Sequence, residues 1–157
     1  MKTDHRDLLF KELCQLLPYG VEFIHRDETF ILFSVGHYSN ENPMCITGIT
    51  PPKDGVSSGK IDVFLQGCQP LLLPLSALTE EIEHNGKKFV PYVELLRDCN
   101  FDVDNMKKED IEYYKPSEQE KEWVESRMYA EVSKLIEWHF DISGLIPKGL
   151  AIDKRTV

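Results

Sequence analysis

The stretch DCNFDVDNMKKE sets Asp98, Asn100, Asp102, Asp104 and Glu109 at its first, third, fifth, seventh and twelfth positions. That is close to the ligand spacing of a helix–loop–helix calcium site, which draws oxygens from positions 1, 3, 5 and 12 and a backbone carbonyl from 7. Two residues weigh against a metal. Position 6 must turn left-handed and is usually glycine; here it is Val103, whose branched Cβ resists positive φ. Position 8, apolar where two such loops pair, is Asn105, and no second loop follows. The same side chains also suit a polar turn, since Asn and Asp cap helices and bond their own backbone. The polar turn is the expectation and calcium the alternative. No cofactor is expected.

Other chemistry-bearing residues are sparse. The histidines are His5, His25, His37, His84 and His139, and no two stand at the i, i+4 spacing of a helical zinc site. His139-Phe140-Asp141 could set a base beside an orienting carboxylate, although a histidine at a helix end is more simply placed there by the dipole. His37, Asp62, His139 and Asp141 are the polar candidates for a ligand site assembled only in three dimensions. There is no GxSxG elbow, and the glycines of DGVSSGK lack the spacing and the Ser/Thr of a phosphate loop. Aromatics over a sheet could stack single-stranded RNA. Phe30, Phe33 and Phe64 more simply fill the core.

Charge narrows the partners. The 157 residues carry a net charge of −9, made of −3 over residues 1–78 and −6 over 79–157. Nucleic-acid binding needs a basic face that displaces counterions; Lys87-Lys88 and Lys107-Lys108 are pairs beside acids, so nucleic acid is disfavoured. No run reaches the roughly 18 apolar residues of a membrane helix, and the N-terminal residues lack a signal-peptide pattern, so no membrane role is expected. The four cysteines form no CxxC and read as reduced thiols of a cytoplasmic protein.

These residues need elements to position them. A helix from Asp4 to about Leu17 carries Leu8, Leu9, Leu13, Leu16 and Leu17 on one face and stops at Pro18. GVEFIHRDETFILFSVG reads as a hairpin turning at Arg26-Asp27-Glu28. HYSNENP follows as a loop, and Met44–Thr50 as a strand with a bulge at Gly48. Residues 51–59 read as a loop. KIDVFLQ turns Ile61, Val63 and Leu65 inward, and prolines 70 and 74 confine QPLLLPLSALT, a short edge strand, to an edge or a crossing. Thr79–His84 reads as a turn or two of helix, Val90–Arg97 and Lys107–Tyr114 as short helices. A capping box at Ser117–Glu120 opens a helix running to about His139, with Val124, Met128, Val132, Leu135, Ile136 and His139 inward. Leu145, Ile146 and Leu150 then form an apolar plug expected to pack on the first helix or the sheet. The fold class is α+β: an N-terminal helix, a four- or five-stranded antiparallel meander that could curl into a small barrel, and C-terminal helices. One domain is expected, with the sheet in about 1–78 and the helical part in about 79–157.

Three segments carry a resemblance. A first helix ends in Leu17-Pro18-Tyr19-Gly20-Val21. A Pro-flanked apolar strand leads into a turn with Ser76, Thr79, Glu80 and Glu81. A terminal helix ends in His139-Phe140-Asp141, followed by Gly144-Leu145-Ile146. Together they resemble a group of small uncharacterised proteins of gut anaerobes, encoded in prophage or other mobile regions. The resemblance covers about a quarter to a third of the chain and omits residues 89–116. It implies a cytoplasmic accessory protein of a phage or mobile element, and no activity. The absence of a catalytic constellation favours a non-enzymatic binding module for another protein; an enzyme or small-ligand binder is the alternative.

Overall fold

The computed structural model describes residues 3–39, 42–50, 59–116 and 120–157. In chain order the elements are α1 (Thr3–Leu16), β1 (Glu22–His25), β2 (Glu28–Ser39), β3 (Asn42–Ile49), β4 (Lys60–Phe64), β5 (Gln69–Leu72), β6 (Ile82–His84), β7 (Lys87–Phe89), α2 (Pro91–Asp98), α3 (Lys108–Tyr113), α4 (Glu120–Glu125), α5 (Tyr129–Glu137) and β8 (Ile152–Asp153). The chain is α+β, and it divides into two compact units, residues 1–72 with 143–157 and residues 73–142.

The first unit is a helix on a six-stranded sheet of order β4-β3-β2-β1-β5-β8. The sheet is open, with β4 and β8 at its ends, and it is mixed, because β8 runs parallel to β5. Leu9, Leu13 and Leu16 of α1 are spaced so that one face points inward, and all three are buried. α1 packs on β2 and on the short 3-10 turn after β4. Beneath it the inner face of the sheet presents Phe23, Phe30, Leu32, Ile46 and Val63. Arg26 and Asp27 both take positive φ, the form of the two-residue hairpin turn that matches strand twist. β2 and β3 extend past the expected strand ends, pairing as far as Ser39 and Asn42.

Two expectations about strands change. The register slips between Leu32 and Ser34, so the bulge lies at Phe33 of β2, opposite the expected Gly48. Gly48 serves another purpose: a Cβ there would stand 2.5 Å from the Phe23 ring. β5 is not at an edge. Pro70 faces Phe23 of β1, and the two residues beyond it, Leu71 and Leu72, pair with β8; proline is tolerated because β8 asks nothing of its nitrogen.

The apolar plug closes this unit. Leu145 and Leu150 are buried and Ile146 half-buried. The Ser143 hydroxyl donates to the buried Glu12 carboxylate of α1 at 2.5 Å, and Lys154 pairs with Glu22 of β1 at 2.8 Å.

The second unit is mainly helical. Its larger core joins Leu78, Ile82, Leu95, Val124, Leu135, Trp138 and Phe140. Residues 82–89, expected to begin in helix, form a β6–β7 hairpin instead, because Asn85 and Gly86 supply the two positive φ values of its turn. The expected long helix breaks in two. The Ser126 hydroxyl turns back to the Trp123 carbonyl at 2.6 Å, and the Glu131 carboxylate accepts the Met128 N–H at 2.9 Å, starting α5 afresh. Met128 is thereby turned outward. The expected capping box at 117–120 lies outside the described residues.

Candidate functional site

The acidic segment is built as a helix ending. α2 stops at Asp98, and Asn100 takes φ 64°. The Asn100 N–H donates to the Arg97 carbonyl and the Phe101 N–H to Leu96, which is the Schellman arrangement. Asp104 accepts from Arg97 at 2.8 Å, and Asp102 from the Asn105 amide at 2.8 Å. Val103 turns inward to Tyr92 and Leu96. So the left-handed residue is Asn100, the third of the stretch, and the sixth is an apolar anchor. Glu109 lies in the first turn of α3. Among the described residues no three His, Cys, Asp or Glu side chains gather as a metal would need.

The polar candidates divide between the units. Asp62, on β4, is exposed and accepts the Thr47 hydroxyl of β3 at 2.7 Å. His37 belongs to β2, and its side chain lies outside the described residues. His139 and Asp141 come together in the other unit. His139 takes φ 63° and ends α5 by the same Schellman pattern, its N–H on Ile136 and that of Phe140 on Leu135. The His139 carbonyl then accepts from Leu73, and the Asp141 N–H donates back to the Leu73 carbonyl. Both side chains are buried, and the His139 ring meets His84 edge-on at 5.5 Å. His84 lines a cleft of about 340 Å³ with Lys87, Glu94, Lys134, Glu137 and Trp138. Four of the charges in its wall are paired with one another, and Asp98 lines it as well. Lys87 meets Glu94 at 2.5 Å and Lys134 meets Glu137 at 3.7 Å. Lys87, with Arg97 beside it, holds the Glu94 carboxyl below its usual range. Nor is a cysteine poised to react: burial pushes all four thiols up, with Asp62 adding at Cys45 and Glu131 at Cys99.

Two aromatics expected in the core lie instead on the outward face of the sheet. Phe30 is buried, but Phe33 and Phe64 are 52% and 51% exposed. Alternation from the buried Phe30 and Leu32 turns Ile31 and Phe33 outward, and the bulge at Phe33 then shifts the parity so that Ser34 shares that face. Phe64 faces out with Asp62 and Lys60, because Val63 between them faces in. The outward face therefore reads Ile31, Ile49 and Lys60 in one row, Ser34, Thr47 and Asp62 in the next, and Gly36, Cys45 and Phe64 in the third. The Lys60 ammonium sits 4.7 Å above the Phe33 ring. With Val63 and Leu65 inward, alternation by itself turns Phe64 out, so filling the core with all three phenylalanines conflicts with the period of the strands that carry them.

No family model, curated protein or solved structure matches this chain. Among the described residues no helix is long and apolar enough to cross a membrane.

Proposed function

We propose that this chain is a non-enzymatic accessory protein that binds another protein through the outward face of its sheet. The observation that carries it is the pair Phe33 and Phe64, each half-exposed on a face that also bears the half-buried Ile31 and Ile49. Exposed aromatics grouped on one face are what interfaces bury for most of their energy. Charge selects protein over nucleic acid: among the described residues of these rows the cation is Lys60, Asp62 stands beside it, and the net charge is −9. The motif resemblance supports a cytoplasmic setting in a phage or mobile element.

The test is comparative capture from the native cells. The wild-type chain and a Tyr129→Ser control, altered at another exposed aromatic, retain one stoichiometric partner. A Phe33→Ser/Phe64→Ser variant with unchanged melting temperature loses it. Equal capture by all three, or no partner together with turnover of a metabolite by the pure chain, overturns the reading.

A further inference from the structure

The strand at one end of the sheet, β4, has β3 on one side, and among the described residues no strand lies beyond it. The Thr50 N–H donates to the Gly59 carbonyl at 3.0 Å. Strand alternation then commits the backbone groups of Gly59, Ile61 and Val63 to β3 and turns those of Lys60, Asp62 and Phe64 to the open side. An edge of this kind is a template for a further strand. Natural edges are blunted by short strands, by proline, by bulges, by charged side chains, lysine above all, or by a covering helix or loop. β4 has no proline, and its register with β3 is unbroken from Lys60 to Phe64. The charge it carries is a pair of opposite sign two residues apart.

That pair is self-complementary. Let a second β4 lie antiparallel, related by a two-fold axis through Ile61. Each Lys60 then faces Asp62 of the copy, and the outward N–H and carbonyl groups of the two exchange hydrogen bonds twice over. On the outward face each ammonium stands across from a carboxylate. On the inner face Ile61, itself half-buried, meets its own copy, and Val63 stands across from Gly59, which has no side chain to obstruct it. The neighbouring registers lack this match. Centring on Asp62 sets carboxylate against carboxylate, centring on Lys60 sets ammonium against ammonium, and centring on Val63 sets Asp62 against Phe64. The two charges are also held in place: Asp62 is bonded to Thr47 and Lys60 rests on Phe33.

We propose that β4 pairs with β4 of a second copy of this chain, joining two six-stranded sheets about a two-fold axis at Ile61. Both copies use the same patch, as a closed dimer requires. The outward face with Phe33 and Phe64 stays open in the pair, so the dimer is independent of the partner reading.

Sedimentation of the full chain over a range of concentrations measures it. The wild type is a dimer that dissociates on dilution. Lys60→Glu weakens it roughly tenfold or more, because two like-charge contacts replace two matched ones, and Lys60→Glu/Asp62→Lys restores it. A second measurement does not depend on those variants. In a Cys14→Ser background, Ile61→Cys places a thiol across from its own copy in the non-hydrogen-bonded pair, where Cα atoms stand about 4.5 Å apart and a disulfide can close. Mild oxidation yields a covalent dimer, and Lys88→Cys on the exposed β7 does not. A wild type monomeric at every concentration, a dimer indifferent to charge reversal or unrescued by the swap, or equal cross-linking at both positions each overturns the proposal.

Discussion

The Phe23 ring lies directly across the backbone of Gly48: an added Cβ would sit 2.5 Å from its Cζ and 2.9 Å from the Phe30 Cβ. Phe23 is fully buried and stacks on Phe30 at 5.6 Å, so neither ring has room to retreat. Gly48→Ala is expected to destabilise the chain by about 1–3 kcal/mol, the usual effect of overpacking a filled core. Denaturant titration checks this, and Gly48→Ala/Phe23→Leu should lose less than the two single losses added together. Simple additivity would mean the rings yield freely.

Leu145 is expected to behave as a core residue although it follows the last helix. It is fully buried, and Leu145→Ala should lower stability by about 2–5 kcal/mol. Removing residues 143–157 should lower the melting temperature by more than Leu145→Ala does, since it also deletes β8 and the Ser143–Glu12 bond. Calorimetry of the two variants decides it. An unchanged melting temperature in either refutes the packing.

Asn100 holds the left-handed position that ends α2. Asn100→Gly should be neutral or stabilising by up to about 1 kcal/mol, because glycine enters that region without strain. Asn100→Val should cost roughly 1–2 kcal/mol, since a β-branched side chain opposes the same φ. Opposite shifts of the thermal midpoint are the signature; shifts of the same sign contradict the capping role.

Glu131 links stability to thiol chemistry. Its carboxylate starts α5 on the Met128 N–H and, after burial itself, helps raise the Cys99 thiol. Glu131→Gln should speed alkylation of Cys99 at pH 8–9 by a few-fold, on the order expected when a neighbouring negative charge is removed. It should also weaken the helix start by about 1 kcal/mol. Mass spectrometry that resolves Cys99 from Cys14, Cys45 and Cys68 provides the readout.

The Glu94 carboxyl gives a pH dependence of known sign. Lys87 and Arg97 lower it below its ordinary 4.5. Its contribution is present above that value and is lost as pH falls through the lower folded value. Glu94→Gln should therefore be less stable than wild type at pH 7, by under about 1 kcal/mol as for partly exposed pairs. The difference should shrink as pH falls below 4.5. Urea midpoints across pH 3–7 test it; a gap that widens toward acid has the wrong sign.

The parts of the fold legible in the sequence were those fixed locally. The α1 stripe, the Arg26-Asp27 turn and the plug residues follow from spacing and turn chemistry alone. What was not legible depended on distant partners or on equal local choices. Asn85-Gly86 was seen as a turn, but its flanks are too short to tell hairpin from helix without the core that Ile82 enters. The break at Ser126–Met128 rests on Glu131 capping backward, in a stretch whose residues suit an unbroken helix equally well. β8 could not be found from its two residues, since Leu71 and Leu72 pair with it from 81 positions away. At the candidate site Asp62 is named for its chemistry, while Phe33 and Phe64 turn outward against the core reading, as the strand periods set by Phe30 and Leu32 and by Val63 and Leu65 already require.

The unit that carries the sheet is assembled from two separated pieces of chain, 1–72 and 143–157, with the whole of the other unit spelled out between them. This orders events on the ribosome. At about 5–20 residues per second, the stretch 73–142 takes roughly 4–14 s to make. All its core partners are contiguous, so it can collapse as it emerges. The sheet waits through that interval with β5 unpaired on one side and the Glu12 carboxylate without its serine. A nascent chain stalled before Leu145 would thus hold a finished helical unit beside an unfinished sheet, the state most exposed to chaperones and proteases.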